Sequence, residues 1–121
     1  MNQIMPQASV SQQLLLKYRL DIIRGKYPPG SQFPTVRALA YDESVNPNTM
    51  QKVLALLEQD GLVISQGTKG RFVTEDAKAI AHVKLLLQTE YLRRAREAAM
   101  QLGITKQQMI QFLQESEEND V

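Results

Sequence analysis

The 121-residue chain has no cysteine and a single histidine, His82. The first absence excludes thiol catalysis, disulfides and cysteine-based zinc sites, and it fits a reducing cytoplasm. The lone histidine has no ordered set of carboxylates around it in sequence, so it reads as a surface or interface residue rather than a metal ligand or general base. Apolar runs such as Leu14-Leu15-Leu16 fall far short of the roughly 20 residues a spanning helix needs, and no charged-then-apolar signal pattern opens the chain. No membrane partner is expected. There is no GxxxxGK[ST] phosphate loop, no nucleophile–base pair and no metal-ligand cluster, so no cofactor, no metal and no enzymatic activity are expected. Glu115, Glu117 and Glu118 read as a solubilising tail rather than a catalytic pair. Internal repeats and low-complexity segments are absent.

What is present is one small domain with an appendage. A chain this short buries a thin core, and oligomerisation is a natural source of further burial. The formal net charge of +1 hides an asymmetry. Residues 12–74 carry eight basic groups against five acidic ones, whereas residues 75–121 carry six against eight. A basic N-terminal part is compatible with a polyanionic partner.

Met1 to Ala8 lacks periodicity and is expected to be a loose arm. Ser9 with Gln12 has capping-box spacing, which predicts a first helix to Arg24, stopped at Gly25. Its expected inward face is Leu15, Tyr18 and Ile22, flanked by Leu14 and Ile23. Lys26-Tyr27-Pro28-Pro29-Gly30 reads as a turn. Thr35 can then cap a second short helix, from Val36 to about Asp42. Asn46 is a good N-cap for a third, with Pro47 at its first position and Gly61 as its stop. Met50, Val53, Leu54 and Leu57 make one apolar face of that helix. Its other face begins with Asn48, Thr49, Gln51 and Lys52. Short amide, hydroxyl and ammonium groups at a helix N-terminus suit a major groove and its flanking phosphates.

Leu62 to Ser65 and Arg71 to Thr74 are β-prone segments around Gln66-Gly67-Thr68-Lys69-Gly70, the pattern of a hairpin. After a recognition helix such a hairpin is a wing. Glu75 or Asp76 then opens a long helix to about Leu102, stopped at Gly103. Thr105 with Gln108 is a second capping box and starts a last helix to about Glu117, beyond which the tail should fray. The fold class expected is mainly α with a small β-hairpin. A winged helix-turn-helix domain over 9–74 is followed by a two-helix C-terminal dimerisation segment over 75–117.

Phe33-Pro34-Thr35-Val36-Arg37, Leu39-Ala40, Val45-Asn46-Pro47-Asn48-Thr49, Gln51-Lys52, Leu57-Glu58 and Gly61-Leu62-Val63 together resemble the DNA-binding domain of GntR-type bacterial transcription regulators. The Asn-Pro-Asn-Thr segment with Gln-Lys after it is similar to the YtrA-type branch, whose members carry a short helical tail. The resemblance implies a double-stranded DNA partner and assigns Arg37 as a contact from the second helix and Thr35 as a contact to the backbone. It also implies a transporter operon as the regulated target. Within the site, Asn46, Asn48 and Gln51 are candidates for the DNA face, with the last two suited to base edges, and Thr49 and Lys52 suit phosphates. Pro47 stands where other branches often carry a base-reading arginine, so the target should differ from theirs. Lys69, Gly70 and Arg71 in the wing are candidates for phosphates or the minor groove.

Two departures from the family pattern matter. The wing usually has Gly-Lys-Gly-Thr, and here the first glycine is displaced to Gly67. In the turn between the two helices the family prefers an apolar residue and then glycine, where this chain has Glu43 and Ser44. A carboxylate at a core-facing position is costly unless satisfied, so Glu43 is expected to be at least partly exposed or paired with a nearby base such as Arg37, and leucine there is expected to stabilise the fold.

Ile80, Val83, Leu87, Tyr91, Ala95, Ala98 and Leu102 recur at steps of three and four along the long helix. Of these Ile80, Val83, Leu87, Tyr91 and Ala98 are taken as a homodimer interface. The function expected is sequence-specific DNA binding by a cytoplasmic bacterial homodimer, acting as a repressor on a two-fold symmetric operator. The alternative is a winged helix used as a protein- or RNA-interaction module. A small-molecule effector near the tail would fit the design, although no polar cluster marks its pocket.

Overall fold

The computed structural model describes residues 8–116. The expected loose arm before Ala8 and the fraying tail at 117–121 lie outside the described residues. The order of elements is α1 (Val10–Ile23), α2 (Val36–Glu43), α3 (Pro47–Gln59), β1 (Val63–Ser65), β2 (Arg71–Val73), α4 (Ala77–Gln101) and α5 (Lys106–Ser116). The chain divides into a head over residues 8–86 and a helical unit from Leu87 onward.

In the head, local signals set the helix ends. The backbone N–H of Gln12 donates to Ser9 Oγ and the Gln12 side chain accepts from the Ser9 backbone, closing the capping box of α1. Thr35 Oγ1 accepts from the Ala38 N–H and caps α2. Asn46 Oδ1 accepts from the Asn48 N–H at 2.7 Å and caps α3, with Pro47 at its first position. Each cap satisfies a donor that the first helical turn leaves without a partner.

α3 is the centre of the core: Met50, Val53, Leu54 and Leu57 are fully buried, and both α1 and α2 pack against it. The inward face of α1 is Leu14, Tyr18 and Ile22, with Leu15 only half-buried. Leu14 and Leu15 lie on one arc of the helix, and contact with α3 selects the first. Tyr18 meets Phe33 edge-on with ring centroids 5.9 Å apart, and Tyr27 packs on Phe33 in a tilted arrangement at 4.9 Å.

β1 and β2 pair antiparallel in the register Val63↔Val73, Ile64↔Phe72 and Ser65↔Arg71. Val63 and Val73 are buried against the helices. The segment before α2 adds a third edge: Gln32 bridges to Phe72, the Phe33 N–H donates to Arg71 O, and the Val73 N–H donates to Ser31 O. Hairpins of three residue pairs are marginal alone, and this edge supplies the support.

Glu43 is partly exposed and paired with a nearby base, as expected, but the base is Lys17 rather than Arg37. Its Oε2 accepts from Lys17 Nζ and, at 3.0 Å, from the buried Tyr18 hydroxyl. Ser44 closes α2 with φ 56° and ψ 45°, the only non-glycine residue at positive φ among the described residues. A side chain in this left-handed region is crowded against the following carbonyl. Replacing Ser44 with glycine relieves that crowding, less the entropy glycine gains when unfolded. The expected net gain is about 0.5–1 kcal/mol, a rise in melting temperature of a few degrees by calorimetry.

The helical unit is polar on one side. Arg93 bridges Glu90 and Glu97, and Arg94 also meets Glu90. These pairs are largely solvated and contribute little. Thr105 and Gln108 form the expected second capping box at the start of α5. Leu92, Met100, Leu102, Phe112 and Leu113 are all more than half exposed.

Candidate nucleic-acid interface

α2, α3 and the wing are held as one frame by pairs between side chains distant in sequence. Arg19 on α1 grips the Asp60 carboxylate at the end of α3 with two hydrogen bonds, Nε to Oδ2 at 2.7 Å and a terminal guanidinium nitrogen to Oδ1 at 2.9 Å. This paired geometry is the strong form of a charge-assisted bond. Lys17 is taken up by Glu43, and Arg71 on β2 by Glu58 on α3 through Nε to Oε2 at 2.6 Å.

Among the exposed cations of the head that make no ion pair with a described residue, Arg24, Lys78 and Lys84 included, are Arg37, Lys52 and Lys69. The last three sit on α2, α3 and the wing respectively. Between them in sequence lie Asn48 and Gln51, exposed and without a side-chain hydrogen bond to another described residue, and Thr49, which is half-buried. A row of unpartnered donors and acceptors flanked by free cations keeps its hydrogen-bonding capacity for another molecule. The two caps retain some capacity as well. The Thr35 hydroxyl accepts within the chain and can still donate, and the Asn46 side-chain NH₂ is free once its oxygen is engaged.

The wing tip takes a definite form despite the displaced glycine. Gly67 to Lys69 make one 3-10 turn, with the Lys69 N–H donating to Gln66 O and the Gln66 N–H to Gly70 O. Gly67 and Gly70 both hold positive φ, 62° and 104°. A Cβ on Gly70 would lie 2.8 Å from Gln32 Nε2, which donates to Lys69 O. The displaced glycine therefore opens the 3-10 turn, and Gly70 admits Gln32.

Two residues assigned from sequence make contacts within the fold that the sequence did not indicate. Arg71 is not a free wing cation, because its Nε is engaged by Glu58 in a half-buried pair. Val83 is not on a free surface of α4: it is 5 % exposed, within the head, beside Leu56 and the Arg19–Asp60 pair. The first turns of α4 are used to cover the head. Ile80, Leu87 and Ala98 are half-buried and Tyr91 is 40 % exposed. Tyr41 was missed. It lies four residues after Arg37 on α2 and is 85 % exposed; that spacing, on one helix face, was the available signal. Among the described residues no group of side chains could hold a metal ion, and no helix is long and apolar enough to cross a membrane.

Comparison with known proteins agrees with this architecture. The family model for bacterial regulatory proteins of the gntR family matches residues 10–73. The chain is 34 % identical over 94 residues to the uncharacterized HTH-type transcriptional regulator YhcF of Bacillus subtilis, covering 78 % of this chain and 76 % of that one. It is 27 % identical over 118 residues to the HTH-type transcriptional repressor YtrA of the same organism, covering 95 % and 91 %. A GntR family transcriptional regulator from Listeria monocytogenes has the same fold, with a TM-score of 0.81 at 24 % identity over 92 % of this chain and 97 % of that one.

Proposed function

The chain belongs to the gntR family of bacterial regulatory proteins, whose members are DNA-binding transcription regulators, and from that premise we propose that it acts as a homodimeric repressor on a two-fold symmetric operator. The observation that carries the reading is the exposed, unpartnered row on the first turns of α3, flanked by free cations on α2 and the wing, while Lys17, Arg19 and Arg71 are each paired with a carboxylate within the fold. In this reading Asn48 and Gln51 meet base edges. Arg37, Lys52 and Lys69 meet phosphates, with Thr35, Asn46 and Thr49 donating along the backbone, and Gly70 lets the tip approach closely. Tyr41 is in the same class of phosphate donors.

Dimerisation by the segment 75–117 is supported by its exposed Leu92, Met100, Phe112 and Leu113, an apolar surface that the described residues leave uncovered. Ile80, Leu87, Tyr91 and Ala98 stay in the proposed interface, and Val83 leaves it. A symmetric pair presents two heads to half-sites about one helical turn apart. Repression is supported by the likeness to YtrA, described as a repressor.

The test is fluorescence anisotropy with the promoter duplex upstream of the protein's own gene against a scrambled duplex, at about 50 and 200 mM salt, with sedimentation equilibrium on the same samples. A dimer that prefers the promoter by about 10³-fold or more is the expected result. Equal, purely salt-driven binding to both duplexes would sink the repressor reading and favour a protein- or RNA-binding module.

A further inference from the structure

Arg71 is a basic residue in a wing, where the simplest expectation is a phosphate contact, yet the structure gives it a carboxylate 2.6 Å away on α3. Both side chains are about three-quarters or more than two-thirds covered, at 26 % and 31 % exposure. The other attachments of the hairpin run elsewhere. Ser31, Gln32 and Phe33 hold the β2 edge, Gln32 Nε2 holds the tip through Lys69 O, and Val63 and Val73 hold the base. Among the described residues, Arg71–Glu58 is the side-chain hydrogen bond that ties the hairpin to α3.

We infer that Glu58 and Arg71 are positioning residues that fix the wing against the recognition helix, so that Lys69 alone is presented to the DNA backbone. The inference rests on the DNA-binding reading above and adds a division of labour within it. Three physical points support it. A phosphate contact by Arg71 would require giving up a short charge-assisted bond that is partly shielded from solvent. A bare carboxylate on the last turn of α3 would repel a polyanion, and Arg71 cancels that charge. Finally, Lys69 is exposed and in the last residue of the 3-10 turn, two residues from Arg71, with its backbone carbonyl pinned by Gln32. Its base is thereby set from both sides, which lowers the ordering that binding must supply.

The experiment compares full-length wild type with Arg71→Ala, Glu58→Ala, Lys69→Ala and the exchange Glu58→Arg/Arg71→Glu, on promoter and scrambled duplexes across a salt series. Removing a carboxylate near DNA ordinarily tightens binding, so Glu58→Ala is the discriminating variant. Here it and Arg71→Ala should each weaken promoter binding by roughly fivefold or more, with the slope of log K against log salt unchanged, because no phosphate contact is lost. Lys69→Ala should reduce that slope by about 1 on both duplexes. The exchange should recover most of the promoter preference, which a direct Arg71–phosphate contact would forbid.

In the absence of DNA, the amide protons of Gln66 and Gly70, both hydrogen-bonded within the tip, should exchange faster in the two single variants and recover in the exchanged protein. A slope reduced by about 1 in Arg71→Ala would overturn the inference, as would unweakened promoter binding by Glu58→Ala or unchanged exchange at the tip. A wild type without promoter preference would instead defeat the operator reading, leaving amide-proton exchange at Gln66 and Gly70 to judge whether the Glu58–Arg71 pair fixes the wing.

Discussion

Gln51→Ala is expected to weaken binding to the promoter duplex by about ten- to a hundredfold while leaving the scrambled duplex within about twofold, since a bidentate base contact carries about 1–3 kcal/mol of discrimination and a phosphate contact carries none. Gln51 is exposed on the second turn of α3 and engages no other described residue, so its loss leaves no intramolecular vacancy and the fold should melt unchanged. Its neighbour Lys52 is equally exposed, but an ammonium is a point charge suited to phosphate. Lys52→Ala should therefore weaken both duplexes alike and reduce the salt slope by roughly 1. Anisotropy titrations at several salt concentrations separate the two. If Gln51→Ala weakened both duplexes equally, the residue would be a backbone contact, and the base-reading set would shrink to Asn48.

The contrast with Arg71 shows how much of this site was legible in the chain itself. Caps and stops are local signals: Ser9, Thr35, Asn46 and Thr105 act on donors two or three residues away, and Gly61 stands at φ 80° just beyond α3. Periodicity then identified the buried face of α3, and by subtraction the polar face proposed as the site. What sequence could not settle was which cations stay free. Arg71 and Glu58 are 13 positions apart, Lys17 and Glu43 are 26, and Arg19 and Asp60 are 41. Only the folded helix packing brings them together, and nothing in periodicity or propensity encodes it. The same holds for Gln32, whose bridge to Phe72 gives the wing its third edge. Val83 illustrates the converse error. An apolar stripe announces burial but not the surface that buries it, and the first turns of α4 serve the head.

At Glu43 the structure leads to the opposite expectation from the sequence. From sequence, leucine at this core-facing turn position should stabilise the fold. In the structure Glu43 is the acceptor for Tyr18, whose ring is 1 % exposed and whose hydroxyl has Glu43 Oε2 as its partner at 3.0 Å. Glu43→Leu removes that acceptor and leaves a buried donor unsatisfied, at a cost of about 1–3 kcal/mol. The melting temperature should fall by roughly 4–8 °C per kcal/mol for a domain this size. Removing both polar partners is a different matter: the double variant Glu43→Leu/Tyr18→Phe should recover most of the loss, because no donor is then stranded.

Acid supplies an independent check. The hydrogen bond from Lys17, with that from Tyr18 behind it, holds the Glu43 carboxyl below the ordinary glutamate value of 4.5. A depressed folded-state pKa gives stability that is present above the unfolded value and lost as pH falls through the folded one. Denaturant unfolding should therefore show stability declining as pH falls below about 4.5, with a shallower decline in Glu43→Gln, which keeps an acceptor for Tyr18 but has no proton to take up. A Glu43→Leu protein that melts at or above the wild-type temperature would restore the sequence-based expectation and would mean that Tyr18 finds water instead.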